Sequence, residues 1–538
     1  MAEGVMSAGN CREQQNTGGK CVRMRMIKIN GRDNVKKFKP ALMILMILVL
    51  AVSLVAAGCG GGDSKQQAQR DSITIAIPNE PSSMDVQFPD DGNMRLITEN
   101  VTEGLLAMDG KSLKPVPCLA TEYKNTSSTS WTVKLREGVK FHNGNPFNAD
   151  DVVFSVKRIL DPNFKSDLVG YFQSIKDVKK IGDYEVEFIT DGSDPSFPTR
   201  LTLLKMMDKE TVEGAPDKVK TELVGTGPYK QVVWERGQNV VIERNDQYWG
   251  AKPTVKTAKY RFIEEDATRA AALKAGEVDL ATNMLPEYVK DLPKVKTIEG
   301  LEFSLVRMNA IRGIMKDPKM RQAASYAINN EAIAQSLYQG YAAVAPGQVF
   351  KPGYAGFNAN LKPYPYDVNK AKELLKEAGY KGEKIEFVGE RGRWLKDGEQ
   401  IETIAQMLRE AGFNVEVKML SFQNWLRVLF NREQAPDMIF TFHSNDIFDA
   451  DRTFSTYVHT KGPGSSYPDT HDKKIEAARV ELDPAKRQQM YEEIGQAVYD
   501  DPAWISLVNI KDIYGMKDYV EWEPRQDMRL TVYEMTLK

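Results

Sequence analysis

From residue 72 onward, short runs alternate apolar and polar residues, a pattern that predicts strands with one face buried. SITIAI (72–77), WTVKLR (131–136), YEVEFI (184–189), NVVIE (239–243) and AKYRFI (258–263) are the plainest of them. Between such runs lie helical stretches with clear start and stop residues. Asp266 to Gly276 opens on an Asp able to cap a helix and closes on a Gly, and Asp367 to Gly379 (DVNKAKELLKEAG) repeats that grammar. There is no internal repeat.

The stretch 384–454 carries the most topological information. KIEFV (384–388) reads as a strand, GERGRWLKDG (389–398) as a polar loop, and EQIETIAQMLREA (399–411) as an amphipathic helix stopped at Gly412. FNVEVKM (413–419) is a second strand, SFQNWLRVLFN (421–431) a helix and DMIFTF (437–442) a third strand. Strand, helix, strand, helix, strand with short links predicts a parallel sheet with right-handed crossovers. Ligands of such sheets sit outside the carboxyl ends of the strands. The loop after the first strand carries Arg391, Arg393 and Trp394; the loop after the third, HSNDIFDAD (443–451), carries Asp446, Asp449 and Asp451. A cationic and an anionic loop on one sheet edge suit a zwitterion, because Arg holds a carboxylate and Asp an ammonium. The competing reading is that these are solvated loop charges.

Composition narrows the class. The 538 residues are 42% hydrophobic and 27% charged, the balance of a folded protein of two or three domains. Lys plus Arg 72 against Asp plus Glu 74 gives −2, so no basic excess points to nucleic acid. The charge is unevenly spread: nine Lys/Arg and three acids fall in residues 1–58, ahead of or within a run that ends in the apolar block 41–57, ALMILMILVLAVSLVAA. A basic segment followed by a short apolar one is an export signal. Ala56-Ala57-Gly58-Cys59, followed by a polar Gly/Ser/Gln stretch, resembles the lipobox of bacterial lipoproteins, with Ala56 where Leu is usual. That resemblance makes Cys59 the lipidated first residue of the mature chain, tethered by 59–70. The competing reading is an uncleaved anchor helix. Met24 or Met26 would open a more ordinary leader, and Cys118 would then be the only thiol of the body, so no disulfide framework is expected.

Catalytic patterns are lacking. There is no Gly-x-Ser-x-Gly, His-Glu-x-x-His or Walker loop. Gly225-Thr226-Gly227 is followed by Pro228 rather than a helix, so it reads as a structural turn. The paired acids Asp150-Asp151 and Glu264-Glu265 fall at helix starts, where carboxylates favour the dipole. His142, His443, His459 and His471 have neither a close i, i+4 pair nor a Cys partner.

Four segments carry a family resemblance: 131–162 (WTVKLREGVKFHNGNPFNADDVVFSVKRILDP), 225–282 (GTGPYKQVVW through VDLAT), 320–342 and 364–380. In order and spacing they resemble the solute-binding proteins of ABC importers in the peptide and nickel family (family 5), over nearly all of the chain from Ser72. Asn329-Asn330, where members have Asp and a basic residue, reads as helix-cap variation. The resemblance implies an α/β, two-lobed periplasmic-binding-protein fold of class II, with an extra domain on the first lobe and the ligand cleft between lobes. Lobe 1 is expected from 71–105, 217–307 and 504–538, the extra domain from 106–216, and lobe 2 from 308–503.

The same resemblance implies site residues. The family's Gly-Trp-Thr-Gly-Asp-x-x-Asp-Pro loop aligns with 442–450, which matches Asp446 to the residue holding a peptide α-ammonium. His443 replaces the Trp and Ala450 the Pro, and Ser444 and Asn445 stand beside them. Arg391, or with one gap Arg393 beside Trp394, aligns with the Arg that holds the α-carboxylate. Glu80 to Asp85 resembles the family's Pro-x-x-Leu-Asp segment, placing Ser82, Ser83 and Met84 at the cleft or, equally, in a strand-end turn. The implied protein is not an enzyme, uses no cofactor or protein-bound metal, and acts as a lipid-anchored monomer. Its partners are a short peptide, the importer's permease and, through that, its ATPase subunits. A nickel chelate is the alternative ligand within the family, and an exported hydrolase the alternative outside it.

Overall fold

Two long strands organise the molecule, because each belongs to two halves of one sheet. The computed structural model describes residues 70–88, 91–391 and 393–538; the export signal, Cys59 and nearly all of the tether lie outside the described residues. The large sheet has eleven strands: β1 (Ser72–Ile77), β2 (Tyr229–Glu235), β3 (Asn239–Arg244), β4 (Thr257–Phe262), β5 (Leu280–Ala281), β6 (Lys294–Met308), β7 (Ala342–Val344), β8 (Lys384–Gly389), β9 (Asn414–Met419), β10 (Met438–His443) and β11 (Trp504–Met516). They pair in the order β9-β8-β10-β6-β11-β5-β1-β4-β3-β2, with β7 on β11.

The near half of β6, Lys294 to Glu299, pairs with Lys511 to Met516 of β11 beside β5 and β1. Its far half, Phe303 to Met308, pairs with β10 on one side and with β11 near Trp504 to Asn509 on the other. The register slips between Glu299 and Phe303. Gly300 sits in that slip, where an added Cβ would lie 2.7 Å from the Ile510 carbonyl oxygen. Only glycine lets the two strands approach so closely. The expected lobe boundaries near 308 and 504 fall at the ends of these strands, whereas the pairing changes hands at 299–303 and 509–511.

The parallel reading of 384–442 holds: β8 pairs in parallel with both β9 and β10. Five helices border the sheet's crossing region and its loops: α1 (Gly92–Thr98), α2 (Asp266–Ala275), α3 (Asp397–Glu410), α4 (Phe422–Leu429) and α5 (Ala450–Tyr457). α3 buries Ile401, Ile404, Ala405 and Leu408, spaced to form one stripe, against β8 and β10 residues Phe387 and Phe440. Burying each such large side chain contributes roughly 1.5–3 kcal/mol. α2 spans its expected residues and stops at Gly276, but Asp266 does not cap it. The N-cap is Glu265, without a side-chain cap bond, while Asp266 pairs with Arg269. Asp367 does cap its helix through the Lys370 amide, and Asn329 caps the helix that begins at Asn330 through the Ala332 amide.

Within the segment expected to form the extra domain, strands Ala120–Ser127, Ser130–Leu135, Ile175–Gly182 and Glu185–Thr190 form a separate antiparallel sheet. Trp131, Val133, Phe147, Phe188 and Phe197 fill its core, and Cys118 is buried there as a free thiol. Gly225 and Gly227 press on the backbone of Val101, where a Cβ would come within 2.1 and 2.7 Å, so this Gly-Thr-Gly is a packing device. No helix among the described residues is long and apolar enough to cross a membrane.

Candidate functional site

Three adjoining cavities of about 300, 490 and 290 Å³ run along the hinge strands. The first two share Asn283, Leu301, Asp512 and Met528; the second and third share Glu302, Arg393 and Trp394. Walls come from both sides of the strand crossing: α1, α2 and Asn283 on one, and the loops after β8 and β10 on the other. Seven non-glycine residues among those described have positive φ. Three of them, Asn283, Phe448 and Met528, line these cavities, and sparsely populated backbone conformations concentrate at functional sites.

The loop after β10 is fixed from within. Asp449 caps α5 by accepting from the Asp451 amide at 2.9 Å. Asn445 donates to the Asp449 carbonyl at 2.7 Å and to Thr453 Oγ1 at 3.0 Å. This frame turns Asp446 into the first cavity, its side chain 18% exposed. Asp446 Oδ2 accepts from the Tyr171 hydroxyl at 2.8 Å and lies 3.8 Å from Arg452 Nη1. Oδ1 accepts no hydrogen bond from any described residue. Burial pushes the carboxyl up, but Arg452, Arg95 and the Tyr171 hydroxyl outweigh it and hold the group below its ordinary range. His443 lines the third cavity with Ser444. Its Nε2 is 2.8 Å from Thr453 Oγ1, and burial, then Arg452, lower its pKa to about 3, so the ring is neutral.

The loop after β8 turns into α3 at Lys396, φ 59°, whose Nζ reaches Glu287 Oε1 at 2.7 Å across the cleft. Asp397 accepts from the amides of Arg393 and Trp394, at 3.0 Å each. Trp394 stacks on Phe442 at 4.7 Å between centroids and donates through Nε1 to Glu302 Oε1 at 3.0 Å. Arg393 lies 4.9 Å from the centroids of both Trp394 and Phe422, and lines two cavities. Arg391 is exposed, folds over Gly398 at the start of α3 and lines none of the three cavities. Arg393 is exposed too, and of the two it is the one that lines the cavities.

Ser82, Ser83 and Met84 form a turn away from these cavities. Ser82 bonds Asp91, Ser83 Oγ accepts from the Asp85 amide at 3.0 Å, and Met84 is buried in the β1 core with its amide on the Lys220 carbonyl. The edge of β1 reaches the cleft through Pro78 instead. Sequence pattern did not single out Tyr171, Arg95, Glu302 or Asp512. Glu302 and Asp512 lie 210 positions apart and share a cavity only because β6 pairs antiparallel with β11, so no local spacing marks them. Among the described residues no group of three or more His, Cys, Asp or Glu could hold a metal ion.

A two-lobed α/β fold with a charged cleft along the strands shared by its lobes is the architecture of a solute-binding protein. The chain belongs to the bacterial extracellular solute-binding proteins, family 5, whose profile matches residues 114–465. It is 25% identical to the oligopeptide-binding protein AppA of Bacillus subtilis (strain 168) over 545 residues, 92% of this chain and 98% of that protein. It is 27% identical to the glutathione-binding protein GsiB of Pectobacterium atrosepticum over 479 residues, 84% of this chain and 92% of that protein. The structure of DppA from Helicobacter pylori with the peptide STSA superposes with a TM-score of 0.71 at 25% identity, over 88% of this chain and all of that one. The structure of B. subtilis AppA with a nonapeptide superposes at 0.71 with 22% identity, over 87% of this chain and 99% of that one.

Proposed function

We propose that this protein captures short peptides outside the cytoplasmic membrane and delivers them to the permease of an ABC importer, held at the membrane by a lipid on Cys59. The observation that carries the reading is the polarity of the cleft. Asp446, with one carboxylate oxygen unengaged by any described residue, lines the first cavity, and Arg393 lines the second and third. A zwitterionic chain laid along the hinge places its α-ammonium on Asp446 and its α-carboxylate near Arg393, while its main chain bonds to the walls directly and through water. The relatives named for oligopeptides and glutathione support the same ligand class.

Calorimetry with one short peptide and its N-acetylated form tests the reading. Acetylation removes the ammonium and should cost about 2–5 kcal/mol, roughly thirty- to several-thousand-fold in affinity. Asp446→Ala should produce a similar loss, and the two losses should not add, because one contact is removed twice. Wild-type affinity of Asp446→Ala for both forms would refute the ammonium role.

A further inference from the structure

The carboxylates of the cleft differ in how well they are partnered. Glu99 pairs with Lys205 at 2.7 Å, Asp527 with Arg525 at 2.8 Å, Asp266 with Arg269, and Asp446 is engaged on one oxygen by Tyr171. Two lack such a partner among the described residues: Glu264, which is exposed to solvent, and Asp512, which is not. Asp512 sits partly buried on β11 and lines both of the first two cavities, yet its carboxylate forms no hydrogen bond or ion pair with any described residue. Lys351, whose charge reaches it, donates its ammonium to the carbonyls of Glu299 at 2.7 Å and Gly300 at 3.2 Å. The absence of a side chain on Gly300 keeps the space beside the carboxylate open, since a Cβ there would lie 3.6 Å from Asp512 Oδ2. Among the described residues the carboxylate of Glu302, across the same cavity on β6, is met only by the Trp394 indole N–H.

We propose that Asp512, seconded by Glu302, is a specificity-determining residue that takes a cationic group from the interior of the ligand, so that the cleft selects peptides with a basic side chain. This rests on the peptide reading of the same cleft and adds a second cation position, at the hinge rather than at Asp446. An anion left without a donor in a partly desolvated wall is costly, and a ligand ammonium or guanidinium relieves that cost only when bound. Because Asp512 belongs to the strand that serves both lobes, the contact favours closure around a basic ligand over closure around a neutral one.

The groups facing Asp512 set its titration. Burial and then Glu302 push its carboxyl up to about 7, against a smaller pull from Lys351. Glu299 and Asp527 act on Lys351, and Tyr514 lies within reach of both Asp512 and Asp527. Binding a cation requires the ionised carboxylate, so the advantage of a basic peptide should shrink as pH falls from 8 to 5.5. His443 stays neutral throughout and does not add to that change.

Calorimetry with peptides differing only in one interior residue, Lys, Ala or Glu, tests the proposal on wild type and Asp512→Asn. Asn has the shape of the protonated acid, so it removes only the charge. In wild type the Lys peptide should bind about tenfold to a hundredfold more tightly than the Ala peptide. In Asp512→Asn the Lys and Ala peptides should bind alike. Equal affinities in wild type, or a Lys preference kept by the variant, overturns the proposal and leaves the peptide reading standing. Should the variant fail to fold, a Lys preference in wild type that does not change with pH is the overturning result. If no peptide binds, 1,5-diaminopentane decides. Protection of wild type but not Asp512→Asn against heat upholds the cation site without the peptide reading, and equal or no protection ends both.

Discussion

Asp449 and Asp446 stand three residues apart in one loop, and Asp449 is predicted to serve stability alone. Its Oδ2 accepts from Arg487 Nη1 at 2.6 Å and Ser196 Oγ at 3.0 Å, and its Oδ1 from Arg487 Nη2 at 2.8 Å. Both charged side chains are 7% exposed. Asp449→Asn keeps a good N-cap residue for α5 but strands a buried guanidinium, which costs about 3–5 kcal/mol. Adding Arg487→Met removes the stranded charge and should recover more than half of that loss. Urea unfolding at pH 7 reads both values, with the single variant lowering the midpoint and leaving the slope unchanged. Folded Asp449→Asn should bind peptide as wild type does, because Asp449 lines none of the three cavities. A single variant within about 0.5 kcal/mol of wild type, as for an ordinary surface change, would refute this account of the loop.

Tyr171→Phe removes the hydroxyl that donates to Asp446 and accepts from Arg452 Nη2 at 3.1 Å. It should weaken peptide binding by about 0.5–1.5 kcal/mol, read as faster dissociation in stopped flow. His443, with a pKa near 3 when folded against an ordinary 6.5, binds a proton more readily unfolded. Stability should therefore fall as pH drops from about 6.5 toward 3, and His443→Gln should flatten part of that fall in urea titrations at successive pH values. Arg393→Ala should remove sensitivity to C-terminal amidation in calorimetry, while Arg391→Ala should keep it.

Much of the second lobe was legible in the chain, because parallel strands with short helical crossovers leave a strong periodic record. β8, β9 and β10 fall within a residue or two of their expected ends, and the loop bearing Asp446 follows from them. The hinge left no such record. β6 stays on β11 throughout, slips register around Gly300 and gains β10 only from Phe303, and its near half, KVKTIEG, lacks the alternation of a half-buried strand. Glu80 to Asp85 is ambiguous in sequence. Its composition fits a cleft segment and a turn equally well, and in the fold it makes a turn with the Met84 amide on the Lys220 carbonyl. Arg391 and Arg393 lie two positions apart in one loop, and only the folded chain shows Arg393 at the cavities beside Trp394 and Phe422.

Whether this cleft holds a peptide is tested most directly by releasing and identifying whatever small molecule accompanies the folded protein through purification. Denaturing the washed protein and analysing the supernatant by mass spectrometry should yield short peptides with free amino termini, enriched in Lys or Arg. Recovery of a metal chelate and no peptide would contradict the account.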